Sequence, residues 1–477
     1  MLFNSVQFVL FFPVVTAGFF IFPKKFKNIW LLLAGYYFYV CASPAFLPVL
    51  IGATLVTWAV CLVMHGRKGK GRTAILCLGI TANIGALFFF KYFAFACSII
   101  GVSPPFRLLL PVGISFYLFQ ATGYLIDVYR GSLAPEKRLL RLALFLSFFP
   151  CLLSGPITRA GEMLPQFEEE HRFDYERIRY GLLRMLFGYF MKLVIVARLD
   201  LVTTRIFDHY GDVNGYGLAL GMVLYAFQIY CDFAGYSELA LGAAKVMGFS
   251  LPENFRQPFF AEKSSELWRR WHMTLMKWFT DYLYIPLGGS RKGRARKYIN
   301  ILIVFAISGL WHGASWTFVI WGLLSGLFMV LGELSAPLRS SLLSSIPVHN
   351  RFTGVLHRFF RTLITFSLFV FALVFFRAPS LKAAGEILGK IFFGFRLSDV
   401  FALSPFSLGL GKVNLFLLLF ALLILFAADL INELRGDKIS WLMEKKAPIR
   451  WGFYYTAVVM ILFSTQIGAA SFIYFRF

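Results

Sequence analysis

The chain has 477 residues, of which 58% are hydrophobic, 18% aromatic and only 15% charged. A soluble globular domain is about a quarter charged, so 57 Phe and a mean hydropathy of +0.70 exclude an ordinary soluble protein and make lipid the solvent for much of the surface. The net charge is +23, but the basic residues cluster in short loops between apolar runs, as cytoplasmic loops of membrane proteins do, and no basic stretch stands apart as a nucleic-acid site would.

A hydrocarbon core of roughly 30 Å takes about 20 apolar residues per helical crossing. The first such segment is Ser5–Phe22. No basic residues precede it and Lys24, Lys25 and Lys27 follow, so it reads as a retained crossing that ends in the cytoplasm, not a cleaved signal. A hairpin, Ile29–Val40 and Phe46–Met64, turns near Pro44. The basic loop His65–Arg72 (HGRKGKGR) lacks the spacing of a phosphate loop and reads as cytoplasmic. Crossings follow at Ala74–Phe90, Leu108–Val128 and Leu139–Leu153, then a polar loop at Thr158–Arg179, then crossings at Tyr180–Val196 and Tyr216–Phe233. Between Ala234 and Ser290 hydropathy breaks up around Pro252, Pro258 and Pro286. Such a stretch must pack inside the protein or line a cavity if it is irregular. Tyr298–Leu331 is one tilted helix or two. Ser335–Arg358 is polar, Phe359–Phe376 apolar and Arg377–Arg396 interfacial. Leu415–Leu430 and Trp451–Ala470 close the chain. The sum is an all-α polytopic integral membrane protein of about eleven crossings, with no internal repeat of solenoid or transporter type.

The six Cys form no CxxC pair and lie in or beside apolar runs, which argues against a metal site and a disulfide framework. There is no HExxH and no GxSxG. Of seven His, five (65, 171, 209, 349 and 357) sit in polar or basic loops and read as solvated.

His312 is different. It lies in Ser308-Gly309-Leu310-Trp311-His312-Gly313-Ala314-Ser315-Trp316 with apolar residues on both sides, and an ionisable residue at membrane depth is costly enough to suggest function. The alternative is a neutral imidazole acting as glue between helices. Gly309 and Gly313 share a helical face and would let another backbone approach. Ser308, one turn earlier, is placed to hold the second ring nitrogen. A neutral, desolvated imidazole is a competent general base near pH 7.

His272 is the second candidate, in Trp268-Arg269-Arg270-Trp271-His272. This stretch is either an aromatic belt or an electropositive vestibule in which Arg269 and Arg270 attract an anionic group such as a phosphate. Gln120, Asp127, Gln228, Asp232, Glu238 and Asp281 are the other polar residues in apolar context. Asp232 and Glu238 are expected to pair with Arg269 or Arg270, or to orient a histidine. Trp268, Arg269, Arg270, Trp271, Ser308, Trp311 and Asp281 are the candidate substrate-binding residues.

At these residues the chain resembles the membrane-bound O-acyltransferase (MBOAT) family, in the bacterial branch that includes the alginate O-acetylation membrane protein. The resemblance rests on several motifs in one order: MLFNSVQFVLFFP (Met1–Pro13), LPVGISFYLFQATGYLIDVYRG (Leu110–Gly131), FPCLLSGPITR (Phe149–Arg159), QIYCDFAGYSELALGAAKVMGFSLPENFRQPFF (Gln228–Phe260), SELWRRWHMTLMKWFTDYLYIPLGG (Ser265–Gly289), SGLWHGASWTFVIWG (Ser308–Gly322), VFFRAPS (Val374–Ser380) and the terminal FIYFRF. It implies one MBOAT-type transmembrane domain over residues 1–477, with a catalytic core at about 110–330 and a funnel or tunnel enclosed by the helices. It implies that His312 is the family's catalytic histidine and that His272 is the upstream polar position. It further implies an O-acetyltransferase of the bacterial cytoplasmic (inner) membrane. The acyl donor would be cytoplasmic acetyl-CoA with no bound cofactor, and the acceptor a hydroxyl of an exported or cell-surface polysaccharide, such as alginate, or of a partner protein. A periplasmic or membrane-anchored acetyltransferase would complete the transfer.

Arg291–Lys297, like the two earlier basic loops, is placed best in the cytoplasm, so the donor is expected to approach from that side. Rival readings are a transporter, which predicts repeat symmetry or charges along a pore, a non-catalytic scaffold, peptidoglycan acetylation, and transfer of D-alanyl or a fatty acyl group by the same fold.

Overall fold

The computed structural model describes residues 1–105, 108–338, 351–396, 398–399 and 410–464. The terminal FIYFRF motif, His349 and the end of the expected crossing Trp451–Ala470 lie outside the described residues. Among the described residues the chain is helical and has no strand, the solution open to a backbone that has no water to bond with inside lipid. Six helices are long and apolar enough to cross a membrane: Pro44–His65, Gly69–Ile99, Gly215–Met247, Trp316–Leu334, Thr353–Arg377 and Lys412–Arg435. Val6–Ile21 is a shorter apolar helix. The chain is therefore a multi-pass membrane protein.

Several segments differ from expectation: Leu139–Leu153, read as a crossing, is the short helices Leu139–Ser147 and Phe149–Leu152, and two differences bear on the site. The crossing placed at Tyr216–Phe233 is a helix of 33 residues, Gly215–Met247, so the irregular stretch starts after Met247 and not at Ala234. Asp232, Ser237 and Ala243 on this helix are all buried. Its polar side chains thus face protein, and a hydropathy profile mistakes them for a break. The apolar run Tyr298–Leu331 is two helices, Arg294–His312 and Trp316–Leu334. The chain turns extended at Gly313, and Ser315 caps the second helix by accepting a hydrogen bond from the backbone N–H of Thr317 at 3.3 Å.

The described chain falls into two compact units. One comprises Met1–Tyr189 and Tyr236–Glu253. Its aromatic core joins Phe3, Phe8, Phe11, Phe38 and Phe149, with neighbouring rings 4.6–6.5 Å apart. A buried Arg184 donates to Glu238 at 2.6 Å and to both carboxylate oxygens of Glu253 at 2.7 and 3.0 Å. Gln120, buried, donates to Thr158 Oγ1 at 2.8 Å.

The second unit comprises Phe190–Gly235 and the chain from Asn254 onward. Here Lys192 is paired with Asp232, both almost completely buried. Gln228 donates to Asp200 at 2.8 Å and accepts from Thr203 at 2.6 Å. Tyr230 donates to Asp429 at 2.9 Å, tying the long helix to Lys412–Arg435. Asp232 and Glu238 thus pair with Lys192 and Arg184, not with Arg269 or Arg270 as the sequence led us to expect. They stand six residues apart on one helix, too far out of phase to share a face, so each meets a different cation.

The helices Arg294–His312 and Trp316–Leu334 form an antiparallel hairpin with backbones in contact. A Cβ on Gly309 would lie 2.1 Å from the Phe318 carbonyl oxygen, and one on Gly322 would lie 2.1 Å from the Phe305 carbonyl oxygen. Only glycine permits this approach. The short helix Ser264–Arg270 packs against Trp316–Leu334 and against the helix Arg351–Arg377.

Removing one partner of a buried ion pair leaves the other uncompensated, at a cost of about 3–5 kcal/mol, whereas an apolar pair of similar volume is often neutral. Asp232→Ala should therefore lower the thermal unfolding temperature of the detergent-solubilised protein, and Lys192→Met with Asp232→Leu should recover most of the loss. An Asp232→Ala protein that melts with the wild type would contradict the buried pair.

Candidate functional site

All nine candidate residues fall in the second unit. His312 is the last residue of its helix, which ends where Gly313 turns extended, one turn after the Gly309 crossing. Its imidazole is 6% exposed. It meets the rings of Trp311 and Trp321 edge to face, both at 4.9 Å, and that of Phe376 at 5.5 Å. Phe376 itself packs on Trp321 at 5.0 Å and on Phe318 at 4.9 Å. The basic side chain is thus held in an aromatic shell built from three helices.

His272 joins the short helices Ser264–Arg270 and Met273–Phe279. Its backbone is left-handed, with φ 43° and ψ 51°, a conformation that costs a residue with a side chain about 1–3 kcal/mol and gathers at functional sites. The imidazole is 1% exposed. It stands edge to face on Phe233 at 4.5 Å and approaches Trp311 at 5.8 Å. The Trp311 ring therefore neighbours both imidazoles.

Asn254, fully buried, lies beside His272. Its backbone carbonyl accepts from Met273 N–H at 2.9 Å. Its side-chain oxygen accepts from the Thr274 hydroxyl at 2.9 Å and from Thr274 N–H at 3.4 Å, and it lies 3.0 Å from His272 Nδ1.

The other candidates separate into two groups. Trp268, buried, packs edge to face on Phe305 at 5.1 Å and on Trp321 at 5.7 Å, and so reaches the His312 shell through Trp321. Trp271, buried, sits on Phe369 at 5.0 Å and Phe255 at 5.1 Å. Ser308 is buried one turn before His312. Away from the aromatic shell, Arg269 is exposed and donates to the Ser265 carbonyl at 3.3 Å. Arg270 is held by Glu433 at 2.6 Å and Glu266 at 2.7 Å. Asp281 lies half-exposed in the π-helical turn Thr280–Tyr284.

The shell residues Phe233, Trp321 and Phe376 and the amide of Asn254 lie within the motifs quoted above, but nothing in the sequence singles them out there. Aromatic residues are common throughout this chain, and a lone Asn after a proline reads as a turn.

Burial lowers the His272 pKa from 6.5 to about 3 by disfavouring the charged ring. The folded state thus holds this ring neutral where the unfolded chain would protonate it. Its contribution to stability is complete above pH 6.5 and is lost as the pH falls from 6.5 toward 3. Wild type should lose thermal stability over that range more steeply than His272→Gln, with parallel curves above pH 7. Parallel curves at every pH would contradict a buried neutral His272.

Residues 133–371 match the model of the MBOAT, membrane-bound O-acyltransferase family. The chain is 35% identical over 405 residues to a protein of Pseudomonas putida named a probable alginate O-acetylase, covering 82% of this chain and 80% of that one. It is 34% identical over 433 residues to a peptidoglycan O-acetyltransferase of Helicobacter pylori, covering 81% and 79%. It is 28% identical over 284 residues to a teichoic acid D-alanyltransferase of Bacillus subtilis, covering 57% and 72%.

Proposed function

Because the chain belongs to the membrane-bound O-acyltransferase family, and is an acyltransferase, we propose that it carries acetyl from cytoplasmic acetyl-CoA toward hydroxyls of an exported or cell-surface polysaccharide such as alginate. The observation that supports this most is the similarity, over about four fifths of the chain, to proteins named for O-acetylation. Transfer of D-alanyl is the second reading, supported by the teichoic acid relative. A peptidoglycan acceptor is favoured by the Helicobacter relative.

In the proposed reaction a neutral His312 takes the proton of the attacking hydroxyl as its oxygen bonds to the thioester carbonyl carbon. The carbon–sulfur bond then breaks, and the departing thiolate receives the proton from the imidazolium. A positioned base contributes about 10²–10⁴-fold in rate. The dry aromatic shell suits this role, because desolvation keeps an imidazole uncharged and so able to accept. His272 is the second participant, engaging the acyl donor or the charge that develops on it. Trp268, Trp271, Trp311 and Ser308 wall the reacting groups. Arg269 offers the donor's phosphates a cation, and Arg270 and Asp281 line the approach. The reading carries with it a single membrane domain of about eleven crossings, a funnel through it, a place in the bacterial inner membrane, and a periplasmic or membrane-anchored acetyltransferase that completes delivery.

Inside-out membrane vesicles from cells producing the chain, given acetyl-labelled acetyl-CoA, should accumulate base-labile acetyl ester. Vesicles from a deletion strain should not. Equal incorporation by the two would sink the reading, and incorporation only by right-side-out vesicles would overturn the cytoplasmic entry of the donor.

A further inference from the structure

The hydrogen bonds around Asn254 fix where the His272 proton sits. The backbone N–H of Thr274 can only donate, and it points at one atom of the Asn254 amide at 3.4 Å. That atom is therefore the amide oxygen, which cannot donate in return. His272 Nδ1 lies 3.0 Å from the same oxygen. Two acceptors do not bond to each other, so Nδ1 carries the hydrogen. A neutral imidazole with its proton on Nδ1 has a bare lone pair on Nε2. His272 Nε2 is buried, and no group of the protein donates to it among the described residues. A buried polar atom without a protein partner is costly, and in a native structure it is met by a water or a ligand or put to catalytic use.

We propose that Asn254 is a positioning residue for acyl transfer, which locks His272 as the Nδ1–H tautomer so that Nε2 presents a hydrogen-bond acceptor to an N–H or O–H group of the substrate. This rests on His272 taking part in the reaction, as proposed above, and it narrows that part. A bare Nε2 cannot polarise the acyl carbonyl, which needs a donor. It can hold a donor arm or an acceptor hydroxyl by accepting from it. The amide N–H groups of a pantetheine arm and a sugar hydroxyl are both of this kind. Three further features fit the assignment. The left-handed backbone at His272 turns the ring toward Asn254 at a local cost that packing elsewhere offsets. The Met273 N–H bond to the Asn254 carbonyl fastens the two residues on the backbone side as well. Phe233 stands nearly perpendicular to the ring at 4.5 Å and so helps to hold its orientation.

Because Asn254 also caps the helix Met273–Phe279, loss of activity alone would not separate positioning from folding, so the test compares two variants. Asn254→Leu keeps the volume and removes the acceptor. It should lower kcat/KM for acetyl-CoA about 10-fold or more, the scale of one lost buried hydrogen bond, at wild-type protein level. Asn254→Asp keeps an acceptor and adds a charge that favours the imidazolium. It should recover most activity at high pH, while the acidic limb of the pH profile moves up by about one unit or more. A residue with only a structural role would give an unshifted profile in the Asp variant. The wild-type protein supplies a direct readout. Histidine-selective ¹⁵N NMR should find His272 protonated at Nδ1 and bare at Nε2, and a proton on Nε2 would overturn the proposal whatever the variants do. His272→Gln, run in parallel, separates the two levels. If it is inactive while Asn254→Leu keeps activity within twofold of wild type, Asn254 loses its role and His272 keeps its own. If both are as active as wild type, His272 is not a participant and the proposal falls with it.

Discussion

Where Gly309 and Gly322 meet, two helices approach so closely that a single added methyl on either would strike the backbone of the other. His312 stands one turn beyond that crossing. The helix Arg294–His312 ends at the histidine because Gly313 turns extended and Ser315 restarts the chain in the return helix. The return helix then supplies Trp321, and the neighbouring helix Phe376, as walls of the imidazole. These rings pack round the histidine, which is 6% exposed. Glycines that bring helices together in lipid usually serve association; here the same contact lies one turn before a histidine buried among aromatic rings.

The buried charges are held in two ways. Arg184 meets Glu238 and Glu253 and Lys192 meets Asp232, whereas the fully buried Arg198 donates to the Val194 carbonyl and the Ser464 hydroxyl. Gln120 bonds Thr158, and Gln228 bonds Asp200 and Thr203. The bare Nε2 of His272 is one of several buried polar atoms without a protein partner among the described residues; what sets it apart is the Asn254 oxygen 3.0 Å from the other nitrogen of the same ring. Part of the excess of positive charge is carried in exposed loop positions such as Lys68, Arg291 and Lys292, consistent with a topological role for those residues.

Much of this was legible in the sequence. An apolar run around His312 pointed to a buried imidazole, and Gly309 to a close helix contact, and both are present; Gly313, expected on the same helical face, lies instead in the extended turn beyond the helix, and the partner of Gly309 is Gly322. The family was legible too, because its motifs recur in order over most of the chain. The reach of the helix Gly215–Met247 was not, since hydropathy measures affinity for lipid and this helix faces protein. The partners of Asp232 and Glu238 were hidden for a related reason. Lys192 and Arg184 are far from them in sequence, and only the fold brings the charges together. Asn254 was the hardest to see. Its importance lies in the direction of one amide oxygen, and nothing in composition, periodicity or spacing encodes that.

The central claim is that a dry, neutral His312 is the base for acyl transfer. Initial rates of base-labile acetyl ester formation by His312→Ala, at matched protein level and with a wild-type melting curve, test it most directly. The account predicts a fall of about 100-fold or more. A rate equal to wild type under those conditions would contradict it.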